Sequence, residues 1–236
     1  MKRFTIVAAS LIACLCLAGC ARKEKTVPLT EEQNQVKTKL EAQMQAAAQT
    51  AQTYHAMDNS ALLGKLLEES KAQREPFNSL AYRELKTRSG VDSKALAALV
   101  KDNPNASGLL PLVLLRKLDN KSYLELPAEL RAKVLTDALG SSKFFNTWGL
   151  PNFYLEDASN AMIEAGRSAA PALKKMLSDT RPAPLFGSQE AMLSKQMKYR
   201  LCDYALFFLK RIGGSGDFRL PQTVEERDAL IKTAQK

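Results

Sequence analysis

Apolar residues recur along most of the chain at the three- and four-residue intervals of an amphipathic α-helix. One stripe runs through Leu62, Leu63, Leu66 and Leu67, and the segment 109–118 is apolar almost throughout. That segment is too short to span a bilayer and is typical of a buried core helix. Helix-start signals follow at intervals, at residues 58–60, at Pro76, at Asp92 or Ser93, and at Pro127. Sustained strand-like alternation and hairpin dipeptides are missing from the sequence, so the pattern predicts an all-α fold.

The same pattern divides the chain into four segments. Residues 1–19 carry two basic residues followed by a short apolar run, which is typical of a secretory signal peptide. Residues 20–29 are charged and contain a proline, and they are predicted to form a tether. Residues 30–58 are predicted to form a stalk helix. Residues 59–236 are predicted to form the helical domain.

The predicted stalk begins with a helix-start signal. Thr30 is followed by two glutamates and Gln33, the arrangement of a capping box. The apolar positions then alternate in steps of four and three residues: Leu40, Met44, Ala47, Ala51 and Tyr54. Because this seam is mostly alanine and lasts about two heptads, a lone stalk helix is favoured over a dimerising coiled coil. The chain is accordingly expected to be a monomer.

The apolar run of the signal peptide ends in Leu17, Ala18, Gly19 and Cys20. This ending resembles the lipobox of bacterial lipoproteins at all four positions. The resemblance implies that Cys20 carries a diacylglycerol and becomes the first residue after cleavage; a plain signal peptide with a chance cysteine is the alternative. In similar lipoproteins an aspartate after the cysteine often retains the protein at the inner membrane. Ala21 stands there instead, so we expect the periplasmic leaflet of the outer membrane, in the cell envelope.

Cysteine and histidine are scarce, which excludes several kinds of chemistry. Cys14 and Cys16 would leave with the signal peptide and Cys20 would carry lipid, so the mature chain keeps only Cys202 and no internal disulfide. Cys202 lies in an apolar helical pattern and is predicted to be a small buried side chain. His55 is the only histidine. The sequence therefore predicts no metal site and no cofactor.

Two segments late in the chain are similar to each other. From Tyr154 an alanine-rich helix ends at Gly166, and a second helix with Pro171 in its first turn follows. A partial copy begins at Tyr199 and places Gly213 where the first copy has its glycine. The segments resemble HEAT repeats of the bacterial short-repeat type. The resemblance implies HEAT-like helical hairpins stacked into a short α-solenoid, and an irregular helical bundle is the alternative.

Basic residues outnumber acidic ones, 34 to 25, which gives a formal net charge of +9. Much of this excess lies in residues 167–219. An envelope protein meets little nucleic acid, so the expected partner is an anionic lipid headgroup, an anionic envelope polymer or an acidic protein. The lysines predicted to contact it, called here the lysine quartet, are Lys174, Lys175, Lys195 and Lys198. A solvated basic face without a partner is the alternative.

Two further groups are candidate binding residues. Trp148, the only tryptophan, lies in a loop with glycine and proline, where it could present a flat ring to a sugar or a cation. Packing of this loop onto the domain is the favoured interpretation. Arg181, Arg200 and Asp203 form a candidate polar cluster, although the last two have the spacing of an ordinary ion pair on a helix.

The chain contains none of the familiar phosphate-binding, dinucleotide-binding or serine-hydrolase motifs. We therefore predict a membrane-anchored lipoprotein that acts as a protein-binding or scaffolding module and is not an enzyme. The alternative is a cell-envelope glycan hydrolase, which needs only two carboxylates. The candidates for that pair are Glu156, Asp157, Glu190 and Asp203, and their spacing along the chain does not determine their separation.

Overall fold

The computed structural model describes residues 30–72 and 75–235, except for the side chain of Ser188. The predicted signal peptide, the lipid-bearing Cys20 and the tether lie outside the described residues. Within the described ranges, no helix is both long and apolar enough to cross a membrane.

Helices form nearly all of the regular structure in the described part of the chain. The α-helices are α1 (Glu31–Ala56), α2 (Asn59–Lys71), α3 (Leu80–Thr87), α4 (Ser93–Asp102), α5 (Leu109–Leu118), α6 (Asn120–Glu125), α7 (Ala128–Ser141), α8 (Asp157–Ala165), α9 (Ala170–Met176), α10 (Ser188–Met197), α11 (Leu201–Ile212) and α12 (Val224–Ala234). Short 3-10 turns span Ala106–Gly108 and Gly166–Ala169, and a small hairpin pairs β1 (Gly149–Leu150) with β2 (Tyr154–Leu155). The prediction of an all-α fold is confirmed.

The chain divides into two compact units, Met1–Ala48 and Gln49–Lys236. The described part of the first unit is Thr30 and the N-terminal turns of α1. The Gln33 amide donates to the Thr30 hydroxyl at 3.3 Å, and the Thr30 amide donates to Gln33 Oε1 at 3.0 Å. The predicted capping box is therefore present, and it satisfies two amides that a helix start leaves without partners. No side chain of α1 is buried.

The second unit includes the last turns of α1. The guanidinium of Arg88 donates to the carbonyl oxygens of Tyr54, at 3.2 Å, of His55, at 2.7 Å, and of Met57. A cation at a helix C-terminus satisfies carbonyls that lack an intrahelical partner. The end of the predicted stalk, residues 30–58, is thus fastened to the domain by a residue just beyond α3.

Two helices occupy the interior of the second unit. In α5 every residue from Leu110 to Leu115 is buried, and α5 contacts α2, α3, α4, α6, α7 and α8. In α11 every residue from Leu201 to Phe208 is buried, and α11 contacts α8, α9 and α12. A helix that is apolar all round must be covered on all sides. The apolar segment 109–118 is therefore a core helix, as its length predicted.

Short polar side chains begin several of these helices. Asp58 Oδ1 accepts from the Ala61 amide at 2.8 Å, so the cap of α2 lies within residues 58–60, where the sequence predicted that a new helix begins. The predicted start at Pro76 is wrong. Pro76 lies in a turn and α3 begins only at Leu80, because the buried Ser79 caps it by accepting from the backbone amide of residue 82 at 2.9 Å.

The hairpin of β1 and β2 was not predicted, because each strand has only two residues and shows no alternation. Gly149 pairs with Leu155, and Leu150 pairs with Tyr154. Gly149 has φ +76°, and a Cβ at this position would lie 2.6 Å from the Tyr154 carbonyl oxygen. Glycine is therefore required at this turn. The hairpin carries the chain from the Trp148 loop into α8.

The two segments that resemble HEAT repeats are helical at the expected positions. Gly166 ends α8 with φ +66°, and Gly213 follows α11. Between α8 and α9, however, the chain forms the 3-10 turn, and both helices pack on α7 and α11. The HEAT-like repeat stays a prediction, and the packing of α8 and α9 also fits an irregular helical bundle.

Candidate functional site

A cavity of about 750 Å³ lies beside the C-terminal ends of α2 and α7. Its wall combines apolar side chains with a few polar ones, among them Leu109, Ala138, Ser142, Lys143 and Thr147. Ligand sites in proteins commonly enclose roughly 300–1,000 Å³ and are mainly apolar with a small number of placed polar groups. The cavity has the size and composition of a binding site.

Three phenylalanines, called here the aromatic rim, border this cavity. Phe144 and Phe186 line it, with ring centroids 5.4 Å apart, and Phe77 packs on Phe186 at 4.9 Å. Their side chains are 45%, 36% and 39% exposed, respectively. Large apolar side chains that are exposed and in mutual contact are characteristic of interaction surfaces.

The aromatic rim is held by bonds between two loops. Asn146 Oδ1 accepts from the Phe186 amide at 3.0 Å, and Asn146 Nδ2 donates to the Phe186 carbonyl at 2.8 Å. The Phe145 amide donates to the Pro184 carbonyl at 2.9 Å, and the Phe145 ring is buried against Tyr204 at 4.7 Å. The exposed rings therefore rest on a fixed backbone, which lowers the entropic cost of binding.

Glu75 and Thr147 supply the unusual polar groups of the cavity. Glu75 Oε2 accepts from the Thr147 backbone amide at 3.1 Å, and no described residue forms an ion pair with this carboxylate. Burial raises the pKa of Glu75 to about 7, against the opposing effect of that hydrogen bond. Thr147 is buried, and its Oγ1 has no hydrogen-bond partner among the described residues. The carboxyl is thus close to half ionised at neutral pH.

Three of the four candidate carboxylates line one smaller depression of about 430 Å³. They are Glu156, Asp157 and Glu190. Asp157 is paired with Lys117 at 3.3 Å and with Arg116 at 3.8 Å. Burial, and next the charge of Asp157, raise the pKa of Glu156 above its usual value. The sequence could not determine this convergence, because Glu190 lies on α10 and the other two lie at the start of α8.

Asp203, the fourth candidate, lies elsewhere and is fully buried in an ion-pair network. Its Oδ1 lies 3.1 Å from Arg227 Nε and accepts from Arg200 Nη2 at 3.0 Å. Arg200 also pairs with Asp228 at 2.7 Å, and hydrogen bonding to Asp203 raises the pKa of Arg200. Arg227 is itself fully buried and donates to the Met197 carbonyl. The network joins the end of α10 and the start of α11 to α12, so Arg200 and Asp203 bind each other in the interior.

Trp148 is completely buried, and none of its ring is available to a ligand. Its Nε1 donates to Ser142 Oγ at 2.9 Å, its carbonyl accepts from Ser159, and its ring lies edge-on to Phe208 at 6.0 Å. This burial corrects the interpretation in which Trp148 presents a flat ring to a sugar or a cation. Packing of the loop, the favoured interpretation, agrees with it.

The remaining predicted binding residues lie at the surface. Arg181 pairs with Asp179 at 3.3 Å and donates to the Gly140 carbonyl, which ties the proline-rich loop to the end of α7. Pro182 forms a β-bridge with Arg200, so the segment of Arg181 lies next to the segment of Arg200 and Asp203. All members of the lysine quartet are exposed, on α9, on α10 and at the C-cap of α10.

The described residues contain no cluster of His, Cys, Asp or Glu that could hold a metal ion. Cys202 is buried, and burial raises the pKa of its thiol to about 11, so it stays protonated at neutral pH. This agrees with the prediction of a small buried side chain.

The chain was compared with protein-family models, with curated proteins and with solved structures. None of the three comparisons finds a match.

Sequence reasoning did not identify the cavity or its residues. Glu75 precedes a turn, and it becomes partly buried only because the loop carrying Thr147 contacts it from far along the chain. One signal was present. Phe144 and Phe186 both lie in loops, and large apolar residues that a loop leaves exposed can mark a binding surface.

Proposed function

We propose that this chain is a lipid-anchored cell-envelope protein whose helical domain is a protein-binding or scaffolding module and not an enzyme. The aromatic rim, with its three exposed rings in mutual contact beside a cavity of about 750 Å³, is the observation that carries this proposal. The lipobox-like sequence ending at Cys20 supports the anchor, and Ala21 in place of an aspartate supports the location at the periplasmic leaflet of the outer membrane.

Burial of the aromatic rim by a partner would supply much of the binding free energy. Completely burying one Phe side chain contributes about 1.5–3 kcal/mol. In the free protein these residues are only between a third and a half exposed. A partner can bury only that remaining surface, so each ring contributes only part of this free energy on binding. Aromatic residues at the centre of an interface, beside a pocket that a partner side chain fills, are common hot spots. A protein partner that inserts side chains into the cavity fits this arrangement.

The proposal that the domain is not an enzyme is supported by the state of the candidate carboxylates. Asp157 is paired with Lys117 and Arg116, and Asp203 is buried in its ion-pair network. These ion pairs occupy both carboxylates with neighbouring side chains of the protein itself.

Co-purification from detergent-solubilised envelopes tests this function. The double variant Phe144→Ser and Phe186→Ser should lose partner proteins that the unaltered chain retains, because both rings border the cavity. Leu124→Ser is the matched control, since Leu124 is 53% exposed and lies on α6, outside the cavity lining. Equal recovery of every partner by the rim variant and the control would reject the rim as the binding surface.

The glycan-hydrolase alternative is retained, because one observation favours it. Glu156 and Glu190 line the same depression, and the raised pKa of Glu156 is what a general acid requires. Purified protein should show no turnover of peptidoglycan if binding is the function. Turnover that is lost in Glu156→Gln and kept in Glu129→Gln, an exposed glutamate on α7, would establish the alternative instead.

A further inference from the structure

The cavity beside the aromatic rim contains two polar groups whose hydrogen-bonding capacity the described residues leave partly or wholly unused. Glu75 Oε2 accepts one hydrogen bond, from the Thr147 amide at 3.1 Å, and none of the described residues forms an ion pair with it. Oγ1 of Thr147, a residue only 6% exposed, has no partner among the described residues. Buried carboxylates are normally paired with a cation or with several donors. Both groups therefore fit a ligand that supplies donors and positive charge.

The described cations near the cavity do not supply that charge. Of the described residues that line the cavity, Lys143 is the only cationic one, and its side chain is exposed and forms no ion pair with a described carboxylate. The other described residues of the cavity wall are uncharged: they are serine, threonine, asparagine, alanine, leucine and phenylalanine.

The entrance of the cavity also suits a cation on an apolar stem. The faces of phenyl rings attract ammonium and guanidinium groups, and this attraction is stronger where water is excluded. Phe144 and Phe186 line the path to Glu75. A lysine side chain combines a four-carbon apolar stem with three hydrogen-bond donors on a compact charge. The stem can contact the rings while the ammonium reaches the two acceptors.

We propose that the cavity receives a lysine side chain of the protein partner, whose ammonium group is bound by the Glu75 carboxylate and Thr147 Oγ1. The inference rests on the proposed function, because it names the chemistry that the partner presents at the aromatic rim. Binding favours the ionised form of Glu75, so the carboxyls that are protonated in the free protein release their proton to solvent as the ion pair forms. Lys143 is the only other titratable group lining the cavity among the described residues, and its charge opposes the incoming ammonium.

A small probe tests this recognition without knowledge of the partner. The probe is 4-phenylbutylammonium, which has the lysine stem and charge together with a phenyl ring, and the neutral comparison is 4-phenylbutan-1-ol. Both are titrated into the full-length chain in the same detergent. Fluorescence of Trp148 reports binding, because it is the only tryptophan and donates to Ser142, a residue of the cavity wall. Calorimetry in buffers of different ionisation heat measures the proton released.

The ammonium probe should bind about tenfold or more tightly than the alcohol, as expected for a hydrogen bond to a charged group. Glu75→Gln should reduce that ratio to near one and abolish proton release. Glu129→Gln, an exposed control, should leave both unchanged. Lys143→Met should strengthen binding of the ammonium probe, because it removes a like charge.

Equal affinity of the two probes for the unaltered chain would overturn the inference, and so would a preference that survives in Glu75→Gln. Failure of the chain to bind either probe up to its solubility limit would also overturn it. The proposed function is tested separately. If rim-dependent co-purification persists while the probes bind equally, the rim is the docking surface and the lysine assignment is wrong.

Discussion

Replacing Glu75 by glutamine keeps an oxygen that accepts from the Thr147 amide, and it removes a negative charge that is disfavoured by partial burial. Burial raises the pKa of this carboxyl from the usual 4.5 to about 7. At about 1.4 kcal/mol per pKa unit, ionising Glu75 in the folded state costs up to about 3 kcal/mol more than in the unfolded chain. Because the side chain is partly accessible to solvent, this figure is an upper value.

The direction with pH follows from the raised pKa. Below about pH 4.5 the carboxyl is protonated in both states, and ionisation costs nothing. As the pH rises from about 4.5 to about 7, the unfolded chain loses this proton more readily than the folded chain, and the protein loses stability. The stability of Glu75→Gln relative to the unaltered chain should therefore increase over this range by up to about 3 kcal/mol and remain constant above about pH 8.

Urea denaturation of both chains, followed by circular dichroism across this pH range, measures the difference directly. Other carboxylates titrate in the same range, but they contribute equally to both chains and cancel. Glu129→Gln, on the exposed surface of α7, should show no such trend. A stability difference between Glu75→Gln and the unaltered chain that does not change with pH would refute the burial of an unpaired carboxyl in the cavity.

Three further predictions concern the interior, the anchor and the charged surface. Asp203→Asn should destabilise the domain by about 3–5 kcal/mol in denaturant unfolding, because it leaves the buried Arg227 without its counter-charge. Asp228→Asn, at a half-exposed carboxylate, should destabilise it by less than about 1 kcal/mol. Equal losses of stability in the two variants would refute the structural role of the network. Metabolic labelling with a palmitate analogue should mark the unaltered chain and not Cys20→Ala, and equal labelling would exclude lipidation at this residue. Reversing the lysine quartet to glutamate should weaken sedimentation with anionic vesicles without unfolding the domain. The difference in sedimentation between the unaltered chain and the variant should shrink as added salt lowers the Debye length below about 10 Å. Salt-independent sedimentation would show that these lysines only face solvent.

The helices were predictable because their signals are local. The capping box of Thr30 and Gln33, the cap at Asp58 and the apolar segment that became α5 each depend on residues within a few positions of one another. Pro76 shows the limit of such signals. Proline has a fixed φ that suits the first turn of a helix. The helix α3 nevertheless begins after Ser79, because the buried Ser79 hydroxyl accepts a hydrogen bond from the Tyr82 amide and so caps it.

The candidate site was not predictable, because it depends on contacts between distant segments. Glu75 has an unusual environment only once the loop of Thr147 covers it. Asp203 looked like a surface residue paired with Arg200, and it is buried because Arg227 reaches it from α12. Trp148 was ambiguous in the sequence for the same reason, since burial of a loop is decided by what packs over it.

Site-specific photo-cross-linking in cells tests most directly whether the domain binds a protein at the aromatic rim. A photoreactive amino acid replaces Phe186 in one variant and Leu124, which is also exposed but lies on α6, in another. If a protein binds at the aromatic rim, position 186 should form a discrete protein adduct that is absent from position 124. This adduct should be lost when Phe77 and Phe144 are changed to serine. Adducts that are the same from both positions, or that form only at position 124, would contradict it.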